Sequence, residues 1–167
     1  MTEIHSFAEI DASLRSIDTG EPATAKRRLF ASAARFQNRA VKPREWLVEG
    51  FIPNGTVTLL GGDGGSGKSL LAMMLAIATA STKDVRWLGR LPVQGTAIYC
   101  GAEDDIDEMH RRMADITDAN FIQFTDLERL HVCSLAGQDA LLAVENPKTK
   151  VLAATPLFAE IRDKIEA

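Results

Sequence analysis

The chain alternates short apolar runs with longer segments whose apolar residues recur at helical spacing. Thr56-Val57-Thr58-Leu59-Leu60 is β-branched and continuously apolar, the pattern of a buried parallel strand. Glycines follow it, and residues 69–80 then carry Leu70, Leu71, Met74, Leu75 and Ala78, which predicts an apolar helix. The same order repeats downstream. Gly95 leads into Thr96-Ala97-Ile98-Tyr99-Cys100, a second predicted strand. Ile106, Met109, Met113 and Ile116 then recur at i, i+3, i+7 and i+10, predicting an amphipathic helix over about 105–118. Asp104 or Asp105 is placed to cap it. A third strand is predicted over residues 130–134. A last helix over 156–165 carries Leu157, Phe158, Ile161 and Ile165 on one face. Strands alternating with helices predict an α/β class with a parallel sheet flanked by helices.

Ahead of this core the pattern weakens. Residues 1 to about 22 lack clear periodicity, and Gly20 and Pro22 end them. Residues 24–40 read as an Ala- and Arg-rich helix. Pro43 and Pro53 flank an irregular lead-in with Trp46, Leu47 and Phe51. A division follows: residues 1–43 as a basic, helical arm and residues 44–167 as part of an α/β domain.

Composition narrows the classes. A chain of 167 residues with 46% hydrophobic residues can bury a core. No apolar run reaches the ~20 residues needed to span a bilayer. The N-terminus lacks a basic-then-apolar leader pattern, so a cytoplasmic protein is expected, with no membrane partner. Cys100 and Cys133 both fall in apolar strand-like runs and are expected to be reduced core residues rather than metal ligands. The net charge of −4 is uneven. Residues 26–44 hold Lys26, Arg27, Arg28, Arg35, Arg39, Lys42 and Arg44 without an acid, so this stretch carries +7 and the remainder −11. Such an arm can contact nucleic acid or an acidic partner. It also fits a solvated linker helix, and no aromatic residues are interleaved for base stacking. Arg28, Arg35 and Arg39 would share a helical face. His5, His110 and His131 are scattered and form no ligand set. Trp46 and Trp87 read as packing residues, although Trp46 could approach an adenine.

The chemistry concentrates in one motif. Gly62-Asp63-Gly64-Gly65-Ser66-Gly67-Lys68-Ser69 matches G-x-x-x-x-G-K-[ST] in full, and Leu70 follows it. Glycines let backbone N–H groups approach phosphates. A helix starting at Lys68 would turn its positive end toward an anion. Lys68 is placed for the β- and γ-phosphates, and the Ser69 hydroxyl for Mg²⁺. The motif therefore predicts ATP with Mg²⁺ as ligands.

A wider resemblance follows from several stretches. Trp46-Leu47-Val48-Glu49-Gly50-Phe51-Ile52-Pro53 precedes the loop. Trp87-Leu88-Gly89, Tyr99-Cys100-Gly101-Ala102-Glu103-Asp104-Asp105 and Leu130-His131-Val132-Cys133-Ser134-Leu135-Ala136-Gly137 come after it. Over about residues 44–165 the chain resembles RecA-like AAA-family ATPases of the RepA type, related to hexameric replicative helicases of plasmids and phages. The resemblance implies a RecA-like P-loop NTPase fold, a role in DNA replication, single-stranded DNA as partner and a homohexamer. It implies that Glu103 is the catalytic glutamate, beyond the end of the second core strand, where a carboxylate can orient the attacking water. Asp104, Asp105, Asp107 and Glu108 are read instead as an acidic first turn favoured by the helix dipole.

A second metal-organising acid, the Walker B aspartate, is not identifiable. Asp139 follows no strand, Asp163 lies within the last predicted helix, and residues 121–126 alternate as a connection. The resemblance implies a Walker B strand beyond Ala167, arginine fingers further on, and strands inserted between residues 56–60 and the Glu103 strand. The chain is thus expected to be truncated before that strand, leaving apolar strand edges unpaired. Three functions compete: a nucleic-acid motor, a nucleotide-binding module without useful turnover, and a small-molecule kinase. A kinase would need an Arg-rich lid after the core begins, and none is evident. A regulatory ATPase acting on no DNA fits the same residues as the motor does.

Overall fold

The computed structural model describes residues 30–166. They divide into two compact units, one of residues 43–140 and one whose described part is residues 30–42 and 141–166.

The larger unit opens with β1 (Trp46–Val48) and β2 (Ile52–Pro53), a small antiparallel pair. The lead-in between two prolines is thus partly ordered. Val48 is fully buried. Helix α1 (Lys68–Ala80) starts within the glycine motif. Strand β3 (Ala97–Gly101), helix α2 (Ile106–Ala119) and strand β4 (Leu130–Ser134) follow. β3 and β4 pair in parallel, with Ala97 opposite Leu130 and Gly101 opposite Ser134. The strand, helix, strand order predicted for residues 96–134 is observed.

The core is built by helical spacing. α1 contributes Met73, Ile77 and Ala80, and α2 contributes Met109, Met113 and Ile116. Each set lies at i, i+4 and i+7, one face of a helix. Tyr99 from β3 and half-buried Leu130 and Val132 from β4 pack on the same cluster. Alternation along the strands therefore turns Tyr99, Leu130 and Val132 toward the helices. Ile98, Cys100, His131 and Cys133 occupy the other face. Ile106 and Leu70, expected on apolar faces, are exposed. Trp87 is buried, and its indole N–H donates to the Leu71 carbonyl at 2.9 Å, so it is a packing residue. Met73→Ala should cost about 2–5 kcal/mol through the cavity it leaves. An unchanged urea midpoint would show that this cluster is not the core.

The connection between α2 and β4 is a single 3-10 turn, Phe124–Leu127, closed by Asp126. Its carboxylate accepts from the Gln123 N–H at 3.0 Å and the Thr82 hydroxyl at 3.1 Å, with Lys83 at 3.8 Å. The Gln123 N–H first, then Thr82 and Lys83, hold Asp126 below the usual carboxylate range. A depressed carboxylate stabilises the fold above its unfolded pKa, and that stability is lost as pH falls through its folded value. Asp126→Asn should therefore flatten the acid limb of a Tm-against-pH curve. An acid limb identical to wild type would remove Asp126 from the account.

Two expectations are corrected in this region. Residues 56–60 form no strand: they join no ladder among the described residues, and Val57 and Leu59 are 100% and 92% exposed. A parallel strand exists only through its neighbours' hydrogen bonds, and no described segment pairs with this one. Cys100 is exposed and Cys133 half-buried, so neither is a core residue. Their face of the sheet is the one that the helices do not cover.

In the smaller unit, β5 (Ala143–Glu145) and β6 (Leu152–Ala154) form an antiparallel hairpin that the sequence pattern did not suggest. Helix α3 (Pro156–Glu166) matches expectation. Leu157, Phe158 and Ile161 are half-buried, while Ile165 is 69% exposed. The helix expected over 24–40 lies outside the described residues up to position 29. From residue 30 onward only a 3-10 turn forms, Ala33–Phe36, capped by Ser32. All of residues 30–42 are exposed. Without an apolar face to bury, a short helix is marginal in water, and Arg35 and Arg39 do not form a helical face. Among the described residues, no helix is long and apolar enough to cross a membrane.

Candidate functional site

The glycine motif turns sharply before α1. Gly65 and Gly67 have φ of 72° and 81°, a region that side chains disfavour. At Gly62 a Cβ would come within 3.0 Å of the Ser66 hydroxyl, so the loop is tight there. The Ser66 hydroxyl donates to the Asp63 carbonyl at 2.7 Å. Lys68 folds back over the loop: its ammonium donates to the Gly62 carbonyl at 2.8 Å, to the Asp63 carbonyl, and to Ser66 Oγ at 3.3 Å.

The two helix N-termini in this unit are treated oppositely. α2 is closed by its own acids: Asp105 accepts from the Glu108 N–H at 2.7 Å, and Asp107 and Glu108 lie in the first turn. The expected cap is therefore observed at Asp105, and of the acids expected in the first turn Asp107 and Glu108 lie there. α1 begins at left-handed Gly67, with no side-chain cap and no acid in its first turn. Its leading N–H groups are donors without an internal acceptor, at the positive end of the helix dipole. Gly67 takes a conformation that a capping Ser or Asp does not readily adopt. The donor set is that of an anion site.

Glu103 joins it. This exposed residue lies two positions beyond β3 and borders a cleft of about 590 Å³ with Gly64, Gly67, Lys68 and Ser69. Leu70 lines the same cleft, whereas Gly62 and Asp63 act beneath it through their carbonyls. The predicted site residues are thus brought together around one loop and one strand end, the place where α/β folds assemble sites.

Sequence reasoning missed three supporting residues. Arg112, on α2, lines the cleft and pairs with Asp104 at 2.7 Å and Glu108 at 2.9 Å. Hydrogen bonds from Arg112 and then Arg111 pull Glu108 below the ordinary carboxylate range. Asp104 is therefore not part of the helix's acidic turn. Its carbonyl also accepts from the Ser134 hydroxyl at 2.8 Å, so the loop carrying Glu103 is tied to both α2 and β4. Tyr99 donates its hydroxyl to the Ser69 carbonyl at 3.3 Å. Burial first, then the Asp104 charge, pushes the Tyr99 phenol up, so it stays a donor at neutral pH. Asp104 precedes the Asp105 cap, outside the helix whose spacing was read. Tyr99 had read only as a strand apolar position.

Among the described residues, no group of three or more His, Cys, Asp or Glu residues is arranged to hold a metal. A cation here would depend on Ser69 and on its partner anion. Residues 21–166 match the family model described as an AAA domain. No solved structure matches the chain.

Proposed function

We propose, for a chain that belongs to the AAA-domain family, that residues 62–69 bind the triphosphate of ATP and that Glu103 orients the hydrolytic water. The uncapped N-terminus of α1, facing Lys68 and Glu103 across one cleft, carries this reading. The α1 N–H groups and the glycine-loop backbone surround the phosphates. Lys68 exchanges its loop carbonyls for β- and γ-phosphate oxygens, and the Ser69 hydroxyl would hold Mg²⁺. When bound, Mg²⁺ supplies Lewis acidity that offsets charge on the departing phosphoryl group. Asp63 and Leu70 act through their backbone and position, and the Ser66 hydroxyl braces the loop against the Asp63 carbonyl. Saturating MgATP should raise the chain's Tm, because a ligand that binds only the folded state stabilises it. No shift at any concentration would count against the reading.

The finer assignment is a RecA-like ATPase domain beginning near residue 44, of the RepA or hexameric replicative-helicase type, cytoplasmic and serving DNA replication. The motif order from Trp46 to Gly137 supports it. The unpaired, exposed residues 56–60 fit a sheet that further strands of such a domain would complete. In this reading the basic stretch 26–44 holds single-stranded DNA. Affinity should then fall steeply with salt, and deletion of residues 1–40 should remove it. Absence of binding at low salt would leave that stretch a linker.

One observation favours a second reading, a nucleotide-binding module with little turnover. Arg112, the arginine that lines the cleft, is committed to Asp104 and Glu108, so it is not free to offset charge on a departing phosphoryl group. A regulatory ATPase that acts on no DNA shares the same site, and the salt titration separates it from the motor.

A further inference from the structure

Cys100 and Cys133 are direct partners in the parallel ladder of β3 and β4. Partner positions in a ladder share a face, and theirs is opposite the helices. Neighbouring strands run about 4.8 Å apart, within the roughly 4.4–6.8 Å between Cα atoms that a disulfide accepts. Cys100 is exposed, and Cys133 is half-buried behind it. Burial and then the neighbouring sulfur push the Cys100 thiol up, so Cys100 rests protonated at neutral pH.

We propose that Cys100 and Cys133 form a dithiol modification site that a low-molecular-weight disulfide oxidises to a disulfide linking β3 to β4. Cys100, the more accessible sulfur, loses its proton and attacks one sulfur of the small disulfide. A mixed disulfide forms on Cys100 and one small thiolate leaves. Cys133 then loses its proton and attacks the Cys100 sulfur, releasing the second small thiolate. Two protein thiols are oxidised, one small disulfide is reduced to two thiols, and the two protons pass to the leaving thiolates. The pairing is intramolecular and fixed by the ladder, so it needs no movement of one unit against another. It locks the strand whose end carries Glu103.

The test is incubation of the 167-residue chain with oxidised glutathione, followed by intact mass, free-thiol titration and non-reducing electrophoresis. Both thiols should disappear together, leaving a monomer without adduct. Cys133→Ser should stop at a glutathione adduct on Cys100, because the resolving sulfur is gone. Cys133→Ala repeats this arm if the serine disturbs β4, with far-UV circular dichroism as the check on folding. A stable adduct beside a free thiol in wild type, a covalent dimer, or two unreacted thiols would each overturn the proposal.

Discussion

Lys68→Ala should abolish measurable MgATP binding while leaving the fold nearly intact. The lysine ammonium makes three contacts, all within the glycine motif, and none reaches the core cluster around Met73, Ile77 and Met109. Its removal therefore costs the core nothing. It does remove a positive charge directed at the same cleft as the α1 N-terminus. Hydrogen bonds to charged partners are worth about 1.5–3 kcal/mol each, and two of them to phosphate oxygens would cost 10²-fold or more in affinity, on the order of 3 kcal/mol or above. Titration with a fluorescent ATP analogue, alongside far-UV circular dichroism, reads both halves of the expectation. Equal affinity in mutant and wild type would remove the glycine loop as the phosphate site.

The second large effect is on turnover. Hydrolysis needs a held triphosphate, a metal, an oriented water and stabilisation of charge on the leaving phosphoryl group. Lys68 and Ser69 serve the first two in our reading, and Glu103 the third. The last is poorly supplied, because the arginine lining the cleft, Arg112, is already neutralised by Asp104 and Glu108. An arginine finger is worth about 10³- to 10⁵-fold in rate. The 167-residue chain alone should therefore bind ATP but release phosphate negligibly. Glu103→Gln should lower that residual release further while sparing binding. Brisk phosphate release by the 167-residue chain would show that a further acid, or a second copy, completes the site.

The parts of this structure that were legible in the sequence are those fixed locally. Gly67 and Lys68 announce a tight turn into a helix, and Asp105 announces the cap of α2. The i, i+4, i+7 spacing of Met109, Met113 and Ile116 fixes a buried face without reference to any partner. What was illegible depends on neighbours. Residues 56–60 have strand composition, yet a strand is a pairing, and no described residue pairs with them. The Ala- and Arg-rich segment has helix propensity, but from residue 30 it finds no surface to pack on. Cys100 and Cys133 lie thirty-three positions apart, and only the register of two parallel strands brings them face to face.

The central claim is that phosphates, held by the α1 N-terminus and Lys68, carry the affinity of this cleft. Calorimetric titration of the wild-type chain with MgATP and, separately, with adenosine tests it most directly. The account predicts a saturable heat with MgATP and none with adenosine over the same concentrations. Equal binding of the two ligands, or no binding of MgATP, would contradict it.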